Sequence, residues 1–461
     1  MRICVIGGGP AGYDAAQIAA ELGADITLIE KLGIGGACVL WDCVPSKTLC
    51  STAEVVTWME AATELGLTSE KPQVNVDLPR IFGRIEQLAS AQSADIRKRV
   101  EQFGVRISTG TARFVDRYAV EVDGGERVEA DAFLIATGAS PRELDTARPD
   151  GVRILNGRQV YDLSEVPQRL VVVGSGATGA EFSHAFERLG SHVTLVSSRD
   201  RVLPHEDPDA ARALEAVFER RGIQIVKRAR ASAVRVGGGG VEVELDDGRL
   251  LEGTHALMTV GQVPNSAELN LAAAGVRTDD GGAIPVDGVS RTNISHIYAA
   301  GDVTGGVMLA NAASMQGRIA MWHALGQAVQ PLRTDAIAAT VFTEPEIATV
   351  GTTEAAAQEA GRRVRAIMMP YATNARAKMV GLTDGFVKII CGADSGIVIG
   401  ATIVAEHASD LILPLSVAVH ARLHISEIAR AFSVYPSFGG SITEAARRLM
   451  DRTADPGARR G

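Results

Sequence analysis

The residues best suited to chemistry are Cys38 and Cys43, in the run GGACVLWDCVPSK that ends at Lys47. A close cysteine pair can clip a metal, form a structural disulfide or trade electrons. A metal clip needs about four ligands. No second such cysteine pair occurs, and the close histidines His420 and His424, at helical i, i+4 spacing, have no third ligand in view, so no metal site is expected. Nor do five cysteines in 461 residues make a disulfide scaffold. A bridge across the pair requires a bend. Residues five apart on a helix rise by about 7.5 Å, whereas a disulfide spans Cα atoms up to roughly 6.8 Å apart. Asp42 sets a carboxylate beside Cys43 and should disfavour its thiolate. Cys4, Cys50 and Cys391 have no comparable setting and are expected to be buried small apolar residues.

Elements that could hold such a pair are legible around it. The run RICVIGGG is an apolar strand pattern ending in glycines, AGYDAAQIAAELG is helical, and ADITLIEK is a second strand. Gly7, Gly9, Pro10, Ala11 and Gly12 therefore lie in a GxGxxG turn between strand and helix. There the backbone can approach a pyrophosphate and the helix N-terminus supplies positive partial charge. Glu30 closes the next strand, where a carboxylate can hold ribose hydroxyls. The βαβ pattern recurs as LVVVGSG, ATGAEFSHAFERLG and SHVTLVSS, with a second loop at Gly174, Gly176, Ala177, Thr178 and Gly179. The strand after that loop ends in Ser197 and Ser198, not in a carboxylate, and Arg199 and Arg201 follow. Losing a negative charge and gaining guanidiniums suits the 2′-phosphate of NADPH.

Residues 80–103 read as a long charged helix with a solvated face, and VGGGGVEVELDDGRLLEG as a β-hairpin. From about residue 337 the pattern becomes strand-rich and then helical, a separate α+β region. Net charge is −9 and aromatics are 4 %, which excludes the basic face and stacking platforms that a nucleic-acid partner needs. No apolar run reaches the ~18 residues of a membrane helix. Arg2-Ile3-Cys4-Val5-Ile6 reads as a buried strand, not as a secretory signal, and the expected compartment is the reducing cytoplasm.

The chain resembles the flavoprotein disulfide reductases, the family of lipoamide dehydrogenase, glutathione reductase and soluble transhydrogenase. The likeness runs almost end to end through GGGPAGYDAA, GGACVLWDCVPSK, ATGASP, GSGATGAEF, TVGQVPN, YAAGD, MLANAASMQG, FTEPEIATVG, NARAKM and GFVKII. It implies two Rossmann-like α/β domains, for FAD and NAD(P), and a C-terminal α+β dimerisation domain. The expected bounds are 1–147 and 267–335 for FAD, 148–266 for NAD(P), 336–452 for dimerisation and a disordered tail over 453–461. The resemblance further implies FAD contacts from Lys31, Gly36, Ala37, Ala112, Thr137, Gly138, Ala139, Gly301, Met308 and Leu309. Asp302 would bind the ribityl chain and Ala310 the isoalloxazine edge. Ala180, Glu181 and Gly261 would belong to the nicotinamide nucleotide. Cys43 would face the flavin, Cys38 would exchange electrons, and Lys47 would approach the flavin and pair with Glu181. Leu40 and Asp42 depart from the family's Asn and Gly.

A second departure bears on function. The family carries a histidine before a proline near the C-terminus and a glutamate five residues later; here Tyr435 and Gly440 stand in those places. A phenol with pKa about 10 can hardly take a proton back at neutral pH, while positioned acid–base catalysis is worth about 10²–10⁴ in rate. The chain is therefore expected to be a dimeric or larger FAD-dependent oxidoreductase. It should carry electrons from NADPH, with NADH as a second donor, to a small quinone-like acceptor, with Tyr435 at the former acid position. The alternatives are a soluble transhydrogenase, a dihydrolipoamide dehydrogenase-type enzyme and a non-catalytic redox sensor.

Overall fold

The computed structural model describes residues 1–68, 70, 74–123 and 125–451; the tail expected over 453–461 lies outside them. Two compact units emerge from the packing. The first comprises 1–49, 77–165 and 260–332, and the second comprises 50–76, 166–259 and 333–461. The expected FAD segments fall mainly in the first unit, and most of the expected 148–266 and 336–452 segments in the second.

In the first unit, the apolar run Ile3–Ile6 has no polar face, so its strand must be covered on both sides. It sits at the centre of a five-stranded sheet in the order Ile297–Ala299, Ala132–Ile135, Arg2–Ile6, Asp25–Glu30, Arg106–Thr109. All of these pairings are parallel. The helix Pro10–Glu21 covers one face with its alanines, and the helix Ala310–Ala324 packs beside it. On the other face lies an antiparallel sheet, Ala112–Asp116, Ala119–Val122 and Glu126–Glu129; Phe114 meets Phe133 there at 5.3 Å between ring centroids. The long helix spans Leu78–Gln102. It buries Phe82, Ile85, Ala89, Ile96 and Val100 on one stripe and exposes its charges on the other side, as an amphipathic helix must.

The second unit repeats the parallel arrangement with Gln224–Val226, His192–Val196, Arg169–Val173 and His255–Met258 hydrogen-bonded in that order. The expected hairpin is part of an antiparallel trio, Ala231–Gly237, Gly240–Leu245 and Leu250–Gly253. Gly238 and Gly239 take positive φ, 56° and 85°, at its first turn, the geometry that a tight hairpin turn demands. The C-terminal region is an antiparallel five-stranded sheet in the order Ala338–Val341, Glu346–Gly351, Val398–Ala405, Phe386–Gly392, Val364–Pro370. Its apolar face is covered by helices that include Leu413–His420 and Gly440–Asp451.

Candidate functional site

In the first unit, the turn after Ile6 closes tightly because it lacks side chains. A Cβ on Gly7, at φ +104°, would meet the Ala136 carbonyl oxygen at 2.3 Å, and one on Gly12 the Gly7 oxygen at 1.8 Å. A Cβ on Gly9 would meet nothing within 4 Å, so open space lies beside the first turn of the helix Pro10–Glu21. That helix has no side-chain N-cap, which leaves its leading amides for a ligand. Glu30 has a role that its sequence position does not reveal. One carboxylate oxygen accepts the Gly8 amide at 2.7 Å and the other the Leu32 amide at 2.7 Å, so it braces the glycine turn while facing the cavity.

A cavity of about 440 Å³ opens in front of this turn. It gathers Gly7, Gly9, Pro10, Ala11, Glu30, Lys31, Gly36, Ala37, Cys38, Cys43, Ala112, Thr137, Gly138, Ala139, Gly301, Asp302, Met308 and Ala310. Three residues expected at the flavin, Gly12, Leu309 and Lys47, do not line it, and neither does Gly261, expected at the nicotinamide nucleotide. Gly12 packs under Gly7, Leu309 precedes the helix Ala310–Ala324, and the Gly261 carbonyl accepts the Arg142 amide at 2.9 Å. Lys47 sits in the helix Cys43–Ala61, its Nζ 3.3 Å from the Ser46 hydroxyl. Sequence reasoning missed Trp41, Arg158 and Asn265 in the lining. Arg158 lies over the Trp41 ring at 4.5 Å. Asn265 clips Thr137 in both directions, its amide donating to the Thr137 carbonyl at 3.0 Å and its own carbonyl accepting the Thr137 hydroxyl at 2.7 Å. The PN of TVGQVPN was the only signal for that clip.

The cysteine pair lies across a break in the helix. One short helix, Gly36–Leu40, ends at Trp41, where the Trp41 and Asp42 amides both reach the Ala37 carbonyl at 3.1 and 2.8 Å. The next helix begins at Cys43, and the Ser46 amide bonds the Asp42 carbonyl at 2.8 Å. The break brings the two side chains together as free thiols that share a hydrogen bond. The shared proton favours ionisation at Cys38 and, with burial, opposes it at Cys43. Asp42 pushes both thiols up and Lys47 pulls both down. Burial, helped by Asp42, raises the Asp302 carboxyl to about 6.

In the second unit, the other glycine turn follows the same rule. A Cβ on Gly174 would meet the Thr259 carbonyl oxygen at 2.3 Å, one on Gly179 the Gly174 oxygen at 1.9 Å, and Gly176 faces open space. Ala177, Thr178 and Ala180 lie in the first turn of the helix Ala177–Arg188. Glu181 is buried and accepts the Phe342 amide at 3.0 Å. Ser197 is buried as well. Its hydroxyl accepts from the Ser175 hydroxyl at 2.7 Å and the Arg199 amide at 3.2 Å, and donates to the Arg201 carbonyl at 3.1 Å. Ser198 and Arg199 are exposed, but the Arg201 guanidinium donates to the Pro204 carbonyl at 3.0 Å. Tyr435 stands almost fully exposed, with Phe432 and Val434 near it in the chain. Asn374 holds the segment after it through the Ser437 carbonyl and the Ser441 hydroxyl.

The cysteines outside the pair differ little from expectation. Cys4, Cys50 and Cys391 are buried, and burial pushes Cys4 up to about 12. For the histidine pair, the expected helical spacing needs correction. His420 ends one helix and His424 caps the next, Ile425–Ala429; both are exposed, so they do not share a helix face. Among the described residues no cluster of metal-ligating side chains occurs and no helix is long and apolar enough to cross a membrane.

Two glycine-turn nucleotide folds, a cavity with a paired-thiol wall and a C-terminal antiparallel sheet define a dinucleotide-dependent redox enzyme. Comparison with known proteins gives the particular family. Residues 1–317 match the pyridine nucleotide-disulphide oxidoreductase model and 337–446 match the dimerisation domain of the same family. The chain is 50 % identical to an NAD(P)H dehydrogenase (quinone) of Mycobacterium tuberculosis, covering 97 % of this chain and 94 % of that one. It is 34 % identical to a dihydrolipoyl dehydrogenase of Zymomonas mobilis over 96 % of both. The crystal structure of LpdA from Mycobacterium tuberculosis superposes with a TM-score of 0.93 at 49 % identity, covering 98 % of this chain and all of that one. The HOCl-induced flavoprotein disulfide reductase RclA from Escherichia coli superposes with a TM-score of 0.86 at 25 % identity, over 97 % of this chain and 99 % of that one. The chain belongs to the pyridine nucleotide-disulphide oxidoreductases and is an oxidoreductase that uses FAD and NAD(P). The first cavity suits FAD: the open cradle at Gly9, the uncapped helix amides and the carboxylates of Glu30 and Asp302 match a pyrophosphate flanked by hydroxyl-bearing chains.

Proposed function

We propose that this enzyme takes electrons from NADPH in preference to NADH and passes them to a small quinone-like acceptor, reducing lipoamide and glutathione disulfide poorly or not at all. The observation that carries the reading is the segment Ser433–Gly440. It places Tyr435 and Gly440 where disulfide-reducing relatives carry an acid–base histidine and its glutamate. The likeness to a protein named NAD(P)H dehydrogenase (quinone) supports the same reading.

FAD, when bound, supplies a centre that accepts hydride from a nicotinamide and releases the electrons to an acceptor. The chain's residues prepare that centre. Gly7, Gly9 and Gly12 let the backbone close on the pyrophosphate, Glu30 and Asp302 hold hydroxyls, and the Lys47 ammonium stabilises developing negative charge. Ser197, Ser198, Arg199 and Arg201 form the loop that recognises the 2′-phosphate. Cys38 and Cys43 act as a side reservoir of electrons and not as the exit route. The enzyme works as a homodimer or larger assembly in the cytoplasm, with the domain division expected above.

An acceptor screen under steady NADPH tests the reading. Benzoquinones and naphthoquinones should turn over, while lipoamide and glutathione disulfide should give rates at least about 10²-fold lower. Comparable rates on disulfides would refute it. Hydride exchange from NADPH to an NAD analogue, without quinone turnover, would favour the transhydrogenase alternative.

A further inference from the structure

The rim of the second glycine turn holds a cation that the motif pattern does not single out. The strands His192–Val196 and Gln224–Val226 run parallel and end side by side. The Ser197 amide donates to the Val226 carbonyl at 2.8 Å and the Ala229 amide to the Ser197 carbonyl at 3.0 Å. Between these two bonds, the Arg228 amide donates to the Arg199 carbonyl at 2.9 Å. Arg228 is exposed and holds φ +54°, a left-handed conformation uncommon for a residue other than glycine. One backbone hydrogen bond therefore fixes the start of two arginine side chains at the carboxyl ends of adjacent parallel strands, the crevice where an open α/β sheet takes its nucleotide.

Neighbouring cations are already engaged. Arg201 is turned to the Pro204 carbonyl, and Lys227 pairs with the buried Glu215 at 2.6 Å. Glu215 also accepts the Val202 amide at 2.7 Å, which braces the loop from inside. The guanidiniums of Arg199 and Arg228 have no hydrogen bond or ion pair among the described residues. Asp200, exposed beside Arg199 in the chain, offsets one of the two charges. The Ser197 hydroxyl, spent on Ser175, Arg199 and Arg201, brings no carboxylate to oppose an anion.

We propose that Arg228 and Arg199 together bind the 2′-phosphate of NADPH, and that Arg201 braces the loop instead of contacting the nucleotide. The inference rests on the NADPH preference argued above. The test titrates full-length, FAD-loaded protein with adenosine 2′,5′-bisphosphate, AMP, NADPH and NADH. Arg228→Gln and Arg199→Gln should each weaken the bisphosphate and NADPH about tenfold, the order of one charge-assisted hydrogen bond. AMP and NADH should stay within about twofold of wild type. Arg228→Lys should recover much of the loss, and Arg230→Gln should change nothing. If Arg199→Gln is selective and Arg228→Gln is silent, the inference falls while the NADPH reading stands. If Arg228→Gln weakens AMP as much as the bisphosphate, its role is structural and the inference falls as well. If wild-type protein holds AMP and NADH as tightly as their phosphorylated counterparts, the NADPH reading itself fails.

Discussion

Two helix glycines, alike in sequence terms, should respond in opposite directions to the same methyl group. Gly317 lies in the helix Ala310–Ala324, where that helix crosses Pro10–Glu21, and a Cβ there would sit 2.2 Å from the Ala11 carbonyl oxygen. Carbon–oxygen contacts settle near 3.3 Å or beyond, so Gly317→Ala must drive two backbones apart by roughly 1 Å. Overpacking against side chains costs about 1–3 kcal/mol, and a main-chain obstacle belongs at the upper end. Helix propensity returns about 1 kcal/mol on replacing glycine by alanine, which leaves a net loss of about 2 kcal/mol. The helix that is displaced carries Pro10 and Ala11, two residues of the cavity wall, so FAD content should fall together with stability. Gly83, inside the helix Leu78–Gln102, has nothing within 4 Å of its Cβ position and no positive φ. Gly83→Ala should therefore stabilise by about 0.5–1 kcal/mol and leave FAD untouched. Thermal unfolding and the ratio of flavin to protein absorbance measure both effects. A Gly317→Ala protein with full flavin and an unchanged melting temperature would refute the claim that this helix crossing sets the nucleotide turn.

Other perturbations address the thiols and the buried histidine. Cys38→Ser should retain most quinone turnover, whereas Lys47→Ala should lose roughly tenfold or more at unchanged FAD content; loss of turnover in the serine variant would route the electrons through the pair. His184 is buried, and burial, with Arg221 and Arg188 nearby, lowers its pKa from 6.5 to about 3. The folded state therefore holds the neutral imidazole while the unfolded chain takes up a proton, so the stability this group contributes is complete above pH 6.5 and is lost as pH falls toward 3. In His184→Gln, the slope of unfolding free energy against pH between about 6.5 and 4 should flatten by up to one proton. Parallel profiles for the two proteins would disprove this assignment.

Both glycine turns were legible because each depends on a local pattern: an apolar strand, glycines at fixed spacing and a helix directly after. The structure gives each glycine a specific obstacle, such as the Ala136 carbonyl over Gly7 and the Thr259 carbonyl over Gly174. The partners that complete the sites come from far along the chain and leave little local trace. Arg158 reaches Trp41, Asn265 clips Thr137 and Phe342 bonds Glu181, all through contacts that only the tertiary fold creates. Arg199 and Arg201 looked equivalent as two cations after a strand, but a single carbonyl at Pro204 separates them. The histidine pair misled for a related reason. Helical spacing has meaning only inside one helix, and Arg422, at φ +52°, stands between two.

The residues between the two cysteines tie the departures together. Leu40 packs toward Gly33, Trp41 lies under Arg158, and Asp42 places its charge near both thiols and near Asp302. A disulfide-exchanging enzyme gains from a stable thiolate, because the thiolate is the nucleophile. Here Asp42 works against that species at both sulfurs, while Lys47 alone among the nearby charges works for it. The hydrogen bond within the pair outweighs Asp42 at Cys38, which is lowered, and adds to burial and Asp42 at Cys43, which is raised, so only one of the two sulfurs is held protonated. At the other end of the chain, Tyr435 and Gly440 remove the group that would protonate a departing thiol. The two changes lie far apart in sequence and act on different steps, attack by a thiolate and protonation of the leaving group. Both steps belong to disulfide exchange, and neither is needed when electrons leave for an acceptor that takes its protons from water. The joint occurrence of these changes, in a chain that keeps Lys47, Glu181 and both glycine turns, is the physical argument for an exit that bypasses the thiols.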